Sequence, residues 1–224
     1  YDSITNKGNL NVYNSEITSE SNVINNSGTA TILSGNYKSE AGAVYNSGTI
    51  TLGSNDGTVS VESPYLKGNK CGINSTGTFN FYDGKIEGPE GESIKGNVSD
   101  RPEEYLNSSK VVDGIETIIL ERLPIVLNQT TNTNYYSLQA AIDESSAGDT
   151  LVLLNDYGAS KTITIDSTKD VEILLSGYSL TSKAPILFKN EGTLILDGLE
   201  NDSNTKVTIN NGTLIENSGD VNIY

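Results

Sequence analysis

The sequence contains no histidine, no methionine and no tryptophan, and it has a single cysteine, Cys71. Without histidine the chain has neither a Ser–His catalytic pair nor a histidine–metal site, and one cysteine excludes an internal disulfide framework. We interpret Cys71, within NKCGINSTG, as a small buried side chain, because a catalytic thiol would need a histidine partner. No apolar run approaches the roughly 20 residues of a membrane-spanning helix, so membrane insertion is not predicted.

Positive charge is also scarce. Fourteen lysines and arginines face 29 acidic residues, which gives a formal charge of −15, and Arg101 and Arg122 are the only arginines. Such a surface repels phosphate backbones and anionic lipid, so binding to nucleic acid is not expected. We interpret the acidic balance as a contribution to solubility.

The chain opens on YDSITN and has no initiating methionine. We therefore expect it to be a piece of a larger polypeptide. The lack of a signal sequence at its start does not then indicate a cytoplasmic location.

A short turn ending in glycine, usually Asn-x-Gly, recurs before strands of alternating polarity. Its glycines are Gly8, Gly28, Gly48, Gly77, Gly192, Gly212 and Gly219. The first three are twenty residues apart, which is too short for a propeller blade and lacks the leucine-rich-repeat frame. The spacing predicts a β-solenoid, in which each repeat forms one coil and successive coils pair in parallel.

The turn residues suit a corner that every coil must repeat. Glycine tolerates positive φ, and asparagine bonds local backbone. We also expect equivalent asparagines of successive coils to stack as a ladder.

Alternation identifies the side chains that point into the solenoid. Residues two apart on a strand share one face. The longer step to Gly77 includes SNDGTVSVE, which we interpret as an Asp-Gly turn and an extra strand. The predicted inward pairs are Leu10 and Val12, Ala30 and Ile32, Ile50 and Leu52, Val59 and Val61, and Phe79 and Phe81.

The middle of the chain loses this rhythm after residue 88. Residues 89–134 contain a proline-rich acidic loop and two strand-like runs, which we interpret as a connector. Ser137 is a predicted cap of a short helix near 137–147, with Leu138, Ala141 and Ile142 on one face and Gly148 at its end.

From residue 135 the chain resembles a known family. The stretch YYSLQAAIDESSAGDTLVLLNDY, continuing to KNEGTLILDG, is similar to the start of right-handed parallel β-helix (pectin-lyase-like) domains, in which a short helix caps the first coil. The repeats NSGTATI and NSGTITL resemble those of large Gram-positive surface proteins, often described as adhesin-like. The resemblance implies an all-β fold, a right-handed parallel β-helix, and an extracellular location at a bacterial cell surface.

This resemblance also implies a domain organisation. Residues 1–88 would be the C-terminal coils of a first β-helix, and residues 135–224 the capped start of a second. A single continuous rod, with residues 89–134 as an excursion, is the alternative.

Some members of that family are polysaccharide lyases or hydrolases, which use paired carboxylates or an Arg or Lys base beside calcium. The candidate carboxylates cluster at turns, so we predict no catalytic, cofactor or metal residues. Calcium binding through Asp197, Asp202 and Asn204 is an alternative that does not match known loop spacings. The carboxylates considered are Asp83, Glu87, Asp197, Glu200 and Asp202.

Two further surface features have alternative interpretations. The pairs Thr29/Thr31 and Thr49/Thr51 would suit ice binding, but Thr78/Asn80 breaks the array. Tyrosines near strand ends would serve either carbohydrate stacking or packing, and packing is favoured. They are Tyr13, Tyr37, Tyr45, Tyr65 and Tyr82.

The sequence as a whole predicts a non-enzymatic, adhesin-like or structural β-helix segment that acts as a rigid spacer or binding surface. Its expected partners are a glycan or a host surface protein, together with neighbouring repeats of the same polypeptide. A carbohydrate-active β-helix, either a polysaccharide lyase or a glycoside hydrolase, is the alternative.

Overall fold

A computed structural model describes residues 1–198 and 205–224. These residues form parallel sheets stacked as a β-solenoid of about nine turns, with 54% strand and 3% helix. The predicted all-β parallel solenoid with one short helix is confirmed. The chain divides into two compact units, Tyr1–Glu121 (unit 1) and Arg122–Tyr224 (unit 2).

The first fifteen strands comprise thirteen short ones, each of which crosses one side of a coil, and the two longer strands of a hairpin. They are β1 (Ile4–Asn6), β2 (Asn9–Val12), β3 (Ser15–Ser19), β4 (Ile24–Asn26), β5 (Thr29–Ile32), β6 (Gly35–Ser39), β7 (Gly42–Asn46), β8 (Thr49–Leu52), β9 (Tyr65–Gly68), β10 (Cys71–Ser75), β11 (Thr78–Phe81), β12 (Lys85–Pro89), β13 (Ile94–Lys95), β14 (Tyr105–Val112) and β15 (Ile115–Arg122).

Three sheets form the sides of unit 1. Sheet A has the order β1-β4-β7-β10-β13, sheet B the order β2-β5-β8-β11, and sheet C the order β3-β6-β9-β12-β15-β14. Each of the first four coils therefore contributes one strand to each sheet. Pairing is parallel until β12, where β15 joins antiparallel, so a hairpin ends sheet C.

The twenty-residue step appears directly in the strand register. Ile4 pairs with Ile24, and Ile24 pairs with Val44. The next step, from Val44 to Ile73, is longer by nine residues, since 73 − 44 = 29 against 44 − 24 = 20. These extra residues lie in the loop at residues 53–64, between β8 and β9.

The prediction of an additional strand in SNDGTVSVE is wrong. Residues 53–64 form an irregular loop, in which Val59 and Val61 are half-buried and Val61 has a φ of 58°. The stretch lies outside the three sheets, so alternation there does not reflect a strand. The other predicted inward residues are buried, except Leu10 of the first coil, which is half-buried.

Asparagines stack along the axis as predicted. The Asn6 Nδ2 donates to Asn26 Oδ1 at 2.7 Å, and Asn26 Nδ2 donates to Asn46 Oδ1 at the same distance. Asn46 in turn donates to Ser75 Oγ at 2.8 Å. Each asparagine amide also bonds the carbonyl of the corner glycine two residues on. Because these side chains are buried, the ladder satisfies polar groups that water does not reach.

The corner glycines stack as well, but for a different reason from the predicted positive φ. A Cβ built on Gly28 would lie 2.2 Å from the Gly8 carbonyl oxygen, and one on Gly48 would lie 2.1 Å from that of Gly28. The positive-φ glycines of unit 1 lie elsewhere, for example Gly35 and Gly84. Glycine is therefore required at the corner by close approach of the neighbouring coil.

Unit 2 repeats this plan with longer coils. Sheet D has the order β17-β16-β18-β21-β24-β27, sheet E the order β19-β22-β25, and sheet F the order β20-β23-β26. The strands are β16 (Val126–Asn128), β17 (Thr133–Tyr135), β18 (Asp149–Leu153), β19 (Tyr157–Ala159), β20 (Ile163–Ile165), β21 (Asp170–Leu174), β22 (Leu180–Ser182), β23 (Ile186–Asn190), β24 (Thr193–Asp197), β25 (Val207–Ile209), β26 (Thr213–Asn217) and β27 (Asp220–Ile223).

The predicted capping helix is present as α1 (Leu138–Glu144). Ser137 Oγ accepts a hydrogen bond from Ala140 N at 3.2 Å, as an N-cap does. Leu138, Ala141 and Ile142 are buried in the core of unit 2. The helix ends at Glu144, earlier than expected, because Ser145 bonds the Ile142 carbonyl, and Gly148 turns the chain into β18.

The segment 89–134 contributes strands to both units. The hairpin β14–β15 extends sheet C of unit 1, whereas β16 pairs antiparallel with β18 of unit 2. The assignment of residues 1–88 and 135–224 to two consecutive β-helices stays a prediction. Within the described residues, no helix is long and apolar enough to cross a membrane.

The close approach of the corners gives a testable prediction for Gly48→Ala. The new Cβ would lie 2.1 Å from the Gly28 carbonyl oxygen. Because this oxygen belongs to the backbone, the clash cannot be relieved by the movement of a flexible side chain. We expect a loss of at least about 1–3 kcal/mol in the free energy of unfolding, the usual cost of overpacking. Urea denaturation followed by circular dichroism measures it.

Gly158→Ala is the matched control. Gly158 lies in a strand, and an added Cβ would make only an ordinary contact of 3.5 Å with Thr181 Oγ1. Equal destabilisation by the two substitutions would contradict the steric explanation of the corner.

Candidate functional site

The outer face of sheet C carries a connected group of polar side chains. Strand register places Tyr65 beside Lys85, and Lys67 beside Glu87. The antiparallel strand β15 then places Thr117 beside Glu87. We call Tyr65, Lys67, Lys85, Glu87 and Thr117 the Glu87 cluster.

Glu87 is the centre of this cluster. Its Oε2 accepts a hydrogen bond from the Tyr65 hydroxyl and lies 3.3 Å from Lys67 Nζ. Its Oε1 accepts from Thr117 Oγ1 at 3.4 Å. Lys85 Nζ lies 4.5 Å from the centre of the Tyr65 ring and 3.4 Å from Glu62 Oε2.

These contacts fix the protonation states. Burial alone would raise the pKa of Glu87, but hydrogen bonds from Tyr65 and Lys67 outweigh it and lower the pKa. Burial raises the pKa of Tyr65, and its bond to the Glu87 carboxylate raises it further. Near neutral pH, Glu87 is therefore an anion engaged by three donors, and Tyr65 is a neutral phenol.

A cavity of about 160 Å³ adjoins the cluster where strands β9 and β12 end. It is below the roughly 300–1,000 Å³ typical of small-molecule sites, and close to the volume that holds a single six-membered ring. The hairpin β14–β15 supplies one wall. The lining residues are Lys67, Gly68, Asn69, Gly88, Pro89, Gly114 and Ile115.

Asp83, a candidate carboxylate from the sequence, anchors a loop. Its Oδ1 accepts hydrogen bonds from the backbone N–H groups of Ser60, Val61 and Gly84, at 2.8, 3.0 and 2.7 Å. These bonds fasten the 53–64 loop to the start of β12. The role of Asp83 in the structure is thus to hold backbone.

Asp197 lies at the end of β24, where its carboxylate accepts from Gly198 N. Glu200, Asp202 and Asn204, the other predicted carboxylate and calcium ligands, lie outside the described residues. Within the described residues, no group of three His, Cys, Asp or Glu side chains converges as a metal site. Of the three candidate calcium ligands, Asp197 is the one that lies within the described residues.

A carboxylate that sequence reasoning missed is Asp149, in the GDT motif. It is buried, and its Oδ2 accepts from Asn128 Nδ2 at 2.8 Å and from Ser146 N at 2.9 Å. The bond from Asn128 is the main cause that lowers the pKa of Asp149. Asp149 lies in β18 and bonds both β16 and the turn that follows α1, so it supports the cap of unit 2.

The five tyrosines considered from sequence separate into different roles. Tyr37 is fully buried and donates to the Ser34 carbonyl at 2.7 Å. Tyr82 donates to Asp100 Oδ2 at 2.6 Å, and Tyr65 belongs to the Glu87 cluster. Tyr13 and Tyr45 are exposed. Tyr37, Tyr65 and Tyr82 therefore make internal contacts, as the packing interpretation predicts.

The threonine pairs occupy sheet B in register. Thr29 pairs with Thr49, and Thr49 with Thr78, on the outer face of this sheet. The first coil supplies Asn9 and Asn11 at the equivalent positions. Threonine therefore occupies both outward positions of sheet B only in the two coils of β5 and β8, as the sequence indicates.

Cys71 is buried, as predicted. Burial raises the pKa of its thiol, which keeps the sulfur protonated and weakly nucleophilic near neutral pH.

No protein-family model, curated protein or solved structure matches this chain. The chain is a parallel β-solenoid protein on the basis of its fold.

The three bonds to Asp83 give a prediction about the 53–64 loop. Asp83→Ala removes the acceptor of Ser60 N, Val61 N and Gly84 N, so the loop should detach while the coils persist. We expect faster limited proteolysis within residues 53–64, with the cleavage site read by mass spectrometry. The control is Glu20→Ala, at an exposed position outside this loop. Equal cleavage rates in the wild type and Asp83→Ala would show that Asp83 does not hold the loop.

A second prediction concerns alkaline pH. Burial, followed by the bond to Asp100, raises the pKa of Tyr82 to about 12. Between its ordinary pKa of about 10 and this value, the unfolded chain releases the Tyr82 proton while the folded chain retains it. Stability present below pH 10 is therefore lost as pH rises through this interval. Tyr82→Phe should make the fall in melting temperature shallower, whereas Tyr13→Phe, at an exposed position, should not. Identical pH profiles for all three proteins would disprove the linkage.

Proposed function

We propose that the chain is a non-enzymatic segment of a bacterial cell-surface protein, in which the solenoid is a rigid spacer and sheet C of unit 1 is a glycan-binding surface. The observation that carries the proposal is the outer face of sheet C. A fixed polar network there adjoins a ring-sized cavity. An extracellular location follows from the resemblance of the repeats and is part of the proposal.

Stiffness is supported by the two ladders of unit 1. Buried asparagines bond along the axis, and corner glycines leave no gap between coils. A coil displaced sideways would break bonds in two neighbours at once, which is the nearest-neighbour coupling of solenoid proteins. Such a segment would hold its surface at a constant distance from the rest of the polypeptide.

The chemistry of the cavity favours a neutral glycan as the ligand. Pro89 and Ile115 supply apolar surface for a sugar ring, while Lys67 and Asn69 supply donors for hydroxyl groups at its edge. Glu87 is held as an anion beside them and can accept from a hydroxyl. The small volume suits one terminal sugar, with the rest of the ligand lying over sheet C.

Hydrolysis or lysis is less well supported by the same residues. Glu87 has three donors bound to its carboxylate, and Asp83 holds a loop. A glycoside hydrolase needs a protonated carboxylic acid opposite a second carboxylate, whereas the lowered pKa of Glu87 favours its ionised form.

Substitution at the cavity wall tests the proposal. Ile115→Arg should occupy the cavity with a long side chain and weaken glycan binding by about tenfold or more, equivalent to at least about 1.4 kcal/mol. The probes are a panel of neutral and acidic polysaccharides, first on an array and then by calorimetry with the best binder. Val112→Arg is the matched control, because Val112 is exposed on the same hairpin and does not line the cavity.

Two results would reject this function. Binding by no member of the panel would remove the glycan-binding role and leave the spacer role alone. Release of shortened or unsaturated sugars, with or without added calcium, would establish the carbohydrate-active alternative.

A further inference from the structure

The cavity where β9 and β12 end has an apolar wall. Pro89 and Ile115 lie directly opposite each other across the β12–β15 pair, and both line the cavity. Ile115 is 43% exposed, although it is aliphatic and lies beside a concave surface. An apolar side chain left open at such a place is typical of a ligand contact. The wall therefore suits an apolar group of the ligand rather than a hydroxyl group.

The polar part of the lining begins with Lys67. Its Nζ lies 3.3 Å from Glu87 Oε2, and its side chain is 36% exposed, so a ligand can reach it. An ammonium group has three hydrogens. Lys67 can therefore donate to a ligand while it keeps the ion pair with Glu87.

Asn69 supplies the other polar group of the lining. Its Nδ2 donates to Glu40 Oε2. Because an ionised carboxylate only accepts hydrogen bonds, this contact fixes which end of the amide faces Glu40 and leaves Asn69 Oδ1 available as an acceptor. The cavity thus offers one charged donor and one oriented acceptor.

The rest of the lining adds no further polar side chain. Gly68, Gly88 and Gly114 complete the described residues that line the cavity, and they present backbone alone. Selection among ligands therefore depends on the donor at Lys67, the acceptor at Asn69 and the wall formed by Pro89 and Ile115.

An acetamido group has the matching parts, which are a carbonyl oxygen, an N–H and a methyl. We propose that the sugar entering the cavity is an N-acetylhexosamine with its acetamido group at C2. The Lys67 ammonium donates to the acetamido carbonyl, Asn69 Oδ1 accepts from the acetamido N–H, and the methyl packs on Pro89 and Ile115. This sugar is the ligand of the glycan-binding site proposed above, so its assignment rests on that function.

Sugars without an acetamido group fit these residues less well. A hydroxyl group at C2 brings no methyl to Ile115, so its binding removes less apolar surface from water. A free amino group is a cation and would face the Lys67 ammonium. A sugar carboxylate would meet a cation that is already paired, beside the carboxylates of Glu87 and Glu40.

Matched monosaccharides test the assignment on the intact chain. The methyl glycosides of N-acetylglucosamine, glucosamine and glucose differ only at C2, and those of N-acetylgalactosamine, galactosamine and galactose form a second series. Affinity is measured by NMR titration that follows the Ile115 methyl signals. In at least one series the acetamido sugar should bind about tenfold or more tightly than both of its partners. Equal affinity of the acetamido and hydroxyl sugars in both series would overturn the assignment.

A substitution at Asn69 tests the assigned contact. Asn69→Leu keeps a similar size but removes the acceptor, so it should lower the affinity for the acetamido sugar by about tenfold and change that for the hydroxyl sugar less. The matched control is Asn36→Leu. Asn36 Nδ2 also donates to a glutamate on sheet C, Glu16 at 3.2 Å, but Asn36 does not line the cavity. An unchanged affinity of Asn69→Leu for the acetamido sugar would show that the contact is wrong.

The variant Ile115→Arg separates failure of this assignment from failure of the proposed function. If polysaccharides bind and Ile115→Arg weakens them, but acetamido sugars show no preference, glycan binding is retained and the N-acetylhexosamine is rejected. An acetamido preference that Ile115→Arg leaves intact would place the sugar elsewhere and also reject the assignment. If no sugar binds, both proposals fail.

Discussion

The close contact between stacked corners governs the rest of the structure. At each corner the backbone of one coil lies against the carbonyl of the coil before it, without room for a Cβ. This contact sets the coils at the hydrogen-bonding distance of a sheet, about 4.8 Å. The asparagine beside the glycine can then span to its equivalent in the next coil at 2.7 Å. The Asn-x-Gly motif recurs because the asparagine bond and the close approach at glycine both depend on the same distance between coils.

Much of the fold of unit 1 could be predicted from these residues. The twenty-residue interval, the inward aliphatic pairs and the asparagine ladder all depend on local patterns that each coil repeats. The physical reason for the glycines could not be obtained in the same way. Positive φ and close approach both select glycine, and sequence alone does not separate them. The prediction of a strand containing Val59 and Val61 was wrong for a related reason, because alternating apolar residues also occur in loops.

The Glu87 cluster shows why the candidate site was harder to predict. Lys67 and Glu87 lie on adjacent coils, twenty residues apart and in register, so the repeat interval aligns this pair. Thr117 arrives from an antiparallel hairpin whose pairing partner is not encoded by the repeat. The tyrosine and lysine that precede Gly68 reach Glu87 through the parallel register of β9 and β12, so only the contribution of Thr117 required knowledge of the hairpin.

The loop at residues 53–64 has a consequence for how such a chain can diversify. It leaves the coil between two strands and returns to the same level, so its added length extends outward and the axial repeat is unchanged. The width of the solenoid can therefore change without a change in its length along the axis. Insertions of different size at this one flank would decorate the side of the solenoid, while the number of coils alone determines how far it reaches.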